Sequence, residues 1–314
     1  MEAKLKLSAK LSDRIFGKSK ETNTRKQKLS DRIFDIVIIV ITTIAALLCL
    51  LPVVNVAAVS LSSNSAIISS KVFLWPVEFT IDSYRAIFTD KSMMWSMVFT
   101  IIITVIYTVL SMALTIAGAY PLSKKNLKGR NVFLLIIVIT MYFSGGIIPD
   151  YVLVKSLGLL DSMWSLILPG AISAFNLILL KSFFNSLPEG LEEAARIDGC
   201  TDFGVLVRIV LPLSLPIIAT LSLFYAVGKW NSFMDALFYI TDPNKYPLQL
   251  KLYQIVVNSQ SLDAAFAEGN MSPGMLPDGL KAASVMFATI PIVCVYPFIQ
   301  KHFIKGVMIG AIKE

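Results

Sequence analysis

Six long stretches without a charged residue dominate this chain and limit what it can fold into. They are Ile36–Val59, Met93–Ser123, Asn131–Pro149, Ser162–Leu180, Ile209–Gly228 and Ala282–Gln300. A helix of roughly 17–25 mostly apolar residues crosses the hydrocarbon core of a bilayer, whereas barrel strands are shorter. Lipid cannot satisfy the free edge of an open sheet. We therefore expect an all-α, polytopic membrane protein with six transmembrane helices. The expected spans lie at about residues 36–59, 95–120, 131–149, 162–182, 209–232 and 281–300.

The composition excludes an ordinary soluble domain. Of the 314 residues, 55% are hydrophobic and 16% are charged, and the mean hydropathy is +0.71. Soluble domains average about 45–50% apolar and about 25% charged residues. The cysteines, Cys49, Cys200 and Cys294, do not have the spacing of metal ligands, so we expect no metal site.

The distribution of Lys and Arg predicts an orientation in the membrane. Residues 1–32, the loop 124–130, the loop 181–208 and the C-terminus hold 20 of the 28 basic residues, whereas the alternate segments hold 7. By the positive-inside rule, both termini and the loop 181–208 lie in the cytoplasm. The net charge of +7 then reflects orientation at a lipid surface, and no nucleic-acid partner is needed to explain it.

The basic cytoplasmic segment, residues 1–32, runs into a short duplication. The heptapeptide KLSDRIF occurs at residues 10–16 and again at residues 28–34. The offset equals five helical turns, so both copies could share one face of a helix that rests on the inner leaflet. A locally duplicated, largely disordered tail is an equally good interpretation, and the sequence leaves the choice open.

A polar, helix-prone segment lies between the fourth and fifth apolar stretches. It contains the run EAARIDGCTDFGVLVRIVLPLSLP, Glu193–Pro216. Ser186 is expected to cap a first helix at its N-terminus, and Gly199 to end that helix in the left-handed conformation. Glu192 and Arg196, four residues apart, are expected to pair on its surface.

A second short helix should follow within the same segment. Thr201 is expected to cap a helix over Asp202–Val210, ahead of Pro212. The first helix also has a narrow apolar stripe whose small alanines would allow a partner to approach closely. The stripe consists of Leu187, Leu191, Ala194 and Ala195.

The spacing E-A-A-x-x-D-G, followed by I-x-L-P, resembles the EAA loop of binding-protein-dependent ABC importers. In that family the permease docks onto its ATPase through this cytoplasmic loop. The resemblance implies a coupling loop over residues 186–212, within a transmembrane domain of residues 33–314. The residues that the resemblance implies for coupling to the ATPase are Glu192, Glu193, Ala194, Ala195, Asp198, Gly199, Phe203, Ile209, Leu211 and Pro212.

The resemblance extends from about Asp31 to the C-terminus. It is greatest to carbohydrate permeases of the type of the maltose permease's smaller subunit, and among them to the lipoprotein/polysaccharide-type permeases for oligosaccharides. The stretches SGGIIPDYVLVKSLGL, LPGAISAFNLILLKSFF and QKHFIKGVMIGAIKE carry it. Cys200 departs from it, because many members have alanine there, but both residues are small.

The resemblance implies a type I ABC importer permease fold in the bacterial cytoplasmic membrane. The implied partners are a second homologous permease, two ATPase subunits and an extracytoplasmic sugar-binding protein. The implied function is to form half of the translocation path for a sugar, expected to be an oligosaccharide.

The absence of certain motifs distinguishes an ABC importer permease from a secondary transporter and from a membrane enzyme. The chain has no G-x-x-x-x-G-K-[ST] motif, so we expect no cofactor in it, with ATP and Mg²⁺ bound by the partner ATPase. An ion-gradient-driven secondary transporter is the alternative, but such carriers usually have repeated halves and intramembrane ionisable groups. The spans of this chain show no internal repeat, and their cores are free of charge. A membrane enzyme would need a nucleophile–base or ligand pair, and none is visible.

The stretch GKWNSFMD, near the outer end of the fifth span, admits two interpretations. It contains Lys229, Trp230, Asn231 and Asp235. In the first, these residues line the substrate path or its outer gate, because aromatic rings stack on sugars while amides and charges bond hydroxyls. In the second, Trp230 lies at headgroup depth and Lys229 reaches the interface. The sequence does not choose between them.

The segment 241–280 is expected to form a long extracytoplasmic loop. Within it PLQLKLYQIVVNSQ can form an amphipathic helix, and NMSPGMLPDG a turn region. By the resemblance, this loop and the loop 60–92 face the binding protein, and Asn270–Gly279 is a candidate probe of its sugar cleft.

Overall fold

The computed structural model describes residues 29–267 and 278–311, and the regular elements within them are helices. The prediction of an all-α protein is confirmed. The α-helices are α1 (Leu29–Ser60), α2 (Asn64–Ile68), α3 (Asp82–Thr89), α4 (Lys91–Ser123), α5 (Arg130–Tyr142), α6 (Ile147–Ser156), α7 (Met163–Ile167), α8 (Ala174–Phe184), α9 (Glu189–Ile197), α10 (Asp202–Val205), α11 (Leu211–Leu213), α12 (Leu215–Trp230), α13 (Met234–Tyr239), α14 (Leu248–Ala267) and α15 (Asp278–Ala311). A π-helical turn, Leu206–Val210, joins α10 to α11.

The chain divides into two units, residues 1–54 and residues 55–314. In the first, the side chains of α1 from Phe34 to Val54 are exposed, as suits a helix surrounded by lipid. The second unit contains every site discussed below.

Three of the described helices are long and apolar enough to cross a membrane. They are Phe34–Ser60 within α1, Lys91–Ser123 and Asp278–Val295 within α15. Two bent pairs of helices raise the number to five if each pair is one crossing. The remaining predicted span, residues 162–182, is divided between α7 and α8. The count of six therefore stays a prediction.

Two predicted spans are bent rather than continuous. Within the predicted span 131–149, α5 meets α6 at 114° across residues 143–146. Gly146 has a φ of +87° there, a conformation that glycine adopts without strain because it lacks a Cβ atom. The predicted span 209–232 begins within the π-helical turn and continues through α11, and the segment Asp202–Leu213 meets α12 at 82°. Only the part from Leu215 onward follows the direction of α12.

α4 is at the centre of the packing. Its buried residues join one cluster with α8, α9 and α12, a second with α3, α12, α14 and α15, and a third with α7, α13 and α14. Lipid is as apolar as these side chains, so close contact rather than escape from water stabilises the helix pairs. A Cβ atom on Gly118 of α4 would lie 2.9 Å from Leu177 of α8, which shows how closely these two helices approach.

Asp161 holds the loop before α7 to the segment after α13. Its carboxylate accepts bonds from the Thr241 amide at 2.6 Å, the Thr241 hydroxyl at 2.5 Å and the Asp242 amide at 3.0 Å. Lys245 donates to the Asp161 carbonyl at 2.6 Å. The bonds from Thr241 and Asp242 lower the pKa of the Asp161 carboxyl below its usual range, because they favour the ionised form.

We expect Asp161→Asn to lower the thermal midpoint of the purified protein near neutral pH but not in strong acid. A lowered folded-state pKa means that the carboxylate stabilises the fold above its unfolded-state pKa, and that this stabilisation disappears as pH falls through the folded-state pKa. The midpoint should be measured across pH for both proteins, with Asp82→Asn, an exposed carboxylate of α3, as the control. A difference between Asp161→Asn and the parent that does not change with pH would contradict this.

Candidate functional site

The predicted coupling loop forms two short helices that meet at Gly199. The Gly199 amide donates to the Arg196 carbonyl at 3.1 Å, and the Cys200 amide donates to the Ala195 carbonyl at 2.9 Å. With a φ of +84° at Gly199, this pattern is a Schellman C-cap, and it confirms the predicted left-handed end of α9. The predicted cap of the second helix is also confirmed, because the Thr201 hydroxyl accepts from the Gly204 amide at 3.2 Å.

Two local predictions for α9 are wrong. The N-cap residue is Pro188 rather than Ser186, whose hydroxyl instead donates to the Phe183 carbonyl at 2.7 Å. Glu192 and Arg196 do not pair with each other. The Glu192 carboxylate pairs with Lys124 at the end of α4, and Arg196 pairs with Asp202 at 2.9 Å. Partners brought together by the tertiary fold replace the local pair.

Three contacts fasten the coupling loop to the body of the protein. Ala195 is 6% exposed and packs in the cluster that α4, α8 and α12 share. Lys124 holds Glu192, and its ammonium also lies 4.2 Å from the centre of the Tyr120 ring. The Tyr120 hydroxyl in turn donates to the Asp202 carbonyl at 3.3 Å. The loop is therefore anchored mainly to the end of α4.

The opposite face of the loop is apolar and exposed. Ile197 is 86% exposed, Phe203 74% and Leu191 45%. Ala194 and Glu193 are exposed beside them. The predicted apolar stripe therefore does not form one surface. Ala195 and half-buried Leu187 pack against the protein's own core, whereas Leu191 and Ala194 are exposed. Ile197 was missed by sequence reasoning, although its position three residues after Ala194 places it on the same helix face.

The rest of the loop leads into the fifth predicted span. Ile209 and Leu211 are half-buried and Pro212 is exposed, whereas the C-cap residue Asp198 is exposed at the end of α9. The predicted second helix, Asp202–Val210, is α-helical only to Val205 and then becomes the π-helical turn. π-turns often occur at functional sites and mark a local change in helix direction.

The GKWNSFMD stretch separates into groups that face different surroundings. The Lys229 ammonium is 3.1 Å from Asp235, and its side chain is 6% exposed. The Trp230 indole donates to the Ala288 carbonyl at 3.3 Å and packs with α15. The side-chain amide of Asn231 donates to the Val227 carbonyl at 2.9 Å, and the residue is exposed. Lys229 is therefore buried within the protein and does not extend to an interface.

Lys229 and Asp235 border a polar cavity of about 310 Å³. The cavity is also lined by Tyr107, Asp150, Pro169, Gly170, Gly228, Ser232 and Tyr239. Trp230 instead borders a larger apolar cavity, about 580 Å³, between α4, α12 and α15. The four residues predicted to line one path thus do not all meet in one place.

The predicted outer loop is largely helical. Its amphipathic segment forms α14, and Leu248 and Leu250 are fully buried there. Residues 268–277, most of the candidate probe of the sugar cleft, lie outside the described residues, as does most of the duplicated N-terminal segment.

Comparisons with known proteins agree with this architecture. Residues 127–309 match the family described as "Binding-protein-dependent transport system inner membrane component". The chain is 47% identical, over 91% of its length and 100% of the relative's, to the "Polygalacturonan/rhamnogalacturonan transport system permease protein YtcP" of Bacillus subtilis (strain 168). It is 44% identical to "Protein LplC" of the same organism, over 93% of this chain and 99% of that one.

A solved structure supports the fold and the family. A chain in the crystal structure of a bacterial ABC transporter involved in the import of the acidic polysaccharide alginate superposes with a TM-score of 0.80. The two are 35% identical, over 88% of this chain and 98% of the other. The chain is therefore a multi-pass, non-enzymatic inner-membrane permease of the binding-protein-dependent ABC importer family.

Proposed function

We propose that this chain is one of two permease subunits of an ATP-driven importer of oligosaccharides. YtcP is named for polygalacturonan or rhamnogalacturonan transport, and two further relatives, 28% and 26% identical to this chain, are named for the transport of arabinooligosaccharides and galactooligosaccharides. These names support a cargo of several linked sugars. The other proposed subunits are a second homologous permease, two ATPase subunits and an extracytoplasmic sugar-binding protein. Both termini and the coupling loop are proposed to lie in the cytoplasm.

The observation that carries the proposal is the exposed apolar face of an anchored loop. A large exposed apolar surface beside polar residues marks a protein–protein contact. Ile197 and Phe203 present such a surface, while Ala195 and Glu192 hold the loop to α4 and its neighbours. A partner that moves this face would therefore also move α4, because the Glu192–Lys124 pair and the packing of Ala195 connect the loop to it. This is what coupling to an ATPase requires.

Sugar passage is proposed to follow from that motion. ATP binding closes the two ATPase subunits, the coupling loop carries the displacement to the membrane helices, and the path alternates between outward and inward openings. Lys229 and Asp235 are proposed to line this path, because a charged pair in a membrane protein normally faces protein or a water-filled cavity. Trp230 and Asn231 are proposed to line the path or its outer gate.

Transport is expected to need ATP and the binding protein, and to continue when proton and sodium gradients are collapsed. Proteoliposomes containing the copurified complex should take up labelled oligosaccharide with ATP and an ionophore present. Uptake should stop when the partner ATPase carries a substitution that prevents hydrolysis. Uptake by this chain alone, driven by an ion gradient, would instead establish the secondary-transporter alternative.

A further inference from the structure

Two half-buried cations, Arg130 and Lys181, meet where α4 ends, α5 begins and α8 ends. Arg130 Nε donates to the Leu122 carbonyl of α4 at 2.8 Å. In the orientation that satisfies both of its polar groups, the Asn185 side chain donates to the Ser123 carbonyl at 2.9 Å and accepts from the Lys181 ammonium at 3.3 Å. Leu122 and Ser123 are consecutive, so these bonds hold the two cations near each other. Arg130 is within electrostatic reach of the Lys181 ammonium.

No described carboxylate neutralises this cation pair. Glu192, the carboxylate that contacts the end of α4, is held by Lys124. Among the described residues, neither Arg130 nor Lys181 forms an ion pair. Because both side chains are half-buried, water and salt screen their mutual repulsion less than on an open surface. An anion placed between them would replace this repulsion by attraction.

The cation pair retains donors for an oxyanion. Among the described contacts Arg130 uses only Nε, which leaves both terminal nitrogens of its guanidinium group. The Lys181 ammonium has three N–H groups, and Asn185 accepts from one of them. A guanidinium group binds phosphate through two parallel hydrogen bonds, and an ammonium adds a further charge-assisted bond. The pair therefore suits a phosphate group.

The position of the cation pair indicates that the phosphate belongs to a lipid. Arg130 is the first residue of α5, and the side chains that follow it along this helix are mostly apolar and exposed. They include Val132, Phe133, Leu135 and Ile136. In a bilayer such a surface contacts acyl chains, so the cations at its end lie at the depth of the headgroups. Basic pockets between helices at this depth bind anionic headgroups.

We propose that Arg130 and Lys181 bind the phosphate of an anionic phospholipid, such as phosphatidylglycerol, in the cytoplasmic leaflet. The loop 124–130 has four basic residues and no acid, which disfavours the choline cation of a zwitterionic lipid. The bound phosphate bridges the start of α5 and the end of α8, just before the coupling loop of residues 186–212. Binding of this lipid goes beyond the proposed transport function and requires neither sugar nor ATP.

Lipid titration followed by native mass spectrometry tests the site. The full-length protein, stripped of lipid in detergent, is titrated with phosphatidylglycerol and separately with phosphatidylcholine that has the same acyl chains. The first phosphatidylglycerol should bind at least about tenfold more tightly, because it has no cation that repels the basic loop. Inorganic phosphate at the same concentration should not displace it, because it lacks the acyl chains that contact α5.

Single substitutions locate the bound lipid. Arg130→Gln and Lys181→Gln each remove one charge and should weaken phosphatidylglycerol binding about tenfold, with phosphatidylcholine binding unchanged. Lys181→Arg keeps the charge and should bind as the parent does. Lys128→Gln is the matched control, because it removes the same charge from an exposed position in the loop 124–130. Its affinity should stay within about twofold of the parent's.

The proposal is overturned if the two lipids bind equally well or if inorganic phosphate displaces phosphatidylglycerol. It is also overturned if Lys128→Gln weakens binding as much as Arg130→Gln and Lys181→Gln do, since net charge alone would then explain the preference. An unfolded variant would lose both lipids, so a selective loss of phosphatidylglycerol reports on the site. The copurified complex should retain the lipid. Its displacement by the ATPase would show that the cation pair contacts that protein instead.

Discussion

Exchanging Glu192 for lysine is expected to reduce uptake to about a tenth or less while the permease still inserts and assembles. The substitution places a second ammonium beside Lys124, where an ion pair now fastens α9 to the end of α4. The two side chains are 25% and 20% exposed, so the pair is partly shielded and its reversal should cost about 1–3 kcal/mol. The loop would lose its connection to α4 although its exposed face is unchanged. Labelled-sugar uptake and ATPase activity of the reconstituted complex measure this.

Reversing the charge of Lys124, the residue that pairs with Glu192, gives the decisive control. Lys124→Glu together with Glu192→Lys restores the opposite charges, so uptake should recover. The same Lys124→Glu change should not rescue Glu193→Lys, because Glu193 is exposed and belongs to the surface proposed to face the ATPase. Normal coupling in Glu192→Lys, or equal rescue of both lysine variants, would show that the anchor to α4 does not transmit motion.

The coupling loop shows which features local sequence rules can predict. Gly199 and Thr201 were predicted correctly because C-cap and N-cap preferences depend on the backbone within a few residues. The predicted Glu192–Arg196 pair was wrong because a better partner, Lys124, is 68 residues away in sequence. A surface pair within one helix is worth only about 0.2–0.5 kcal/mol, so a contact across the fold easily replaces it.

The membrane helices show the same limit on a larger scale. Apolar length correctly predicted the long helices, because the cost of exposing backbone to lipid depends on the whole segment. The apolar length of a segment does not reveal where its helix breaks. It therefore did not predict the bend at Gly146 or the division between α7 and α8, where Gly170 has a φ of +73°. Such breaks depend on one or two dihedral angles and on tertiary packing. The GG pair at 145–146 was a visible signal, but it did not give the angle.

The candidate path could be predicted only in part. The sequence singled out Lys229 and Asp235 as unusual, yet it grouped Trp230 with them because neighbours in sequence were assumed to share surroundings. At the end of α12 adjacent side chains point about 100° apart, so Trp230 faces α15 while Lys229 faces the polar cavity. Tyr107 and Asp150 come from other helices, and no local pattern connects them with Lys229.

Replacing Lys229 by methionine is expected to lower both the thermal stability and the uptake activity of the complex. Methionine has a similar shape but leaves Asp235 without its cation, and Asp235 is only 38% exposed. Breaking a buried pair costs about 3–5 kcal/mol, and partial exposure of the carboxylate should reduce this to about 2 kcal/mol. Adding Asp235→Asn removes the uncompensated charge and should restore stability. Uptake should stay low, because the double variant lacks both charged groups that are proposed to line the sugar path.

Thermal inactivation midpoints and uptake rates of the purified complex measure the two effects separately. Lys155→Met, an exposed lysine of α6, provides the matched control and should change stability by no more than about 0.5 kcal/mol. If Lys229→Met is as stable as the parent, the pair with Asp235 does not stabilise the fold. If the double variant regains full uptake along with its stability, then Lys229 and Asp235 serve the fold alone, and the sugar path must be lined by other residues.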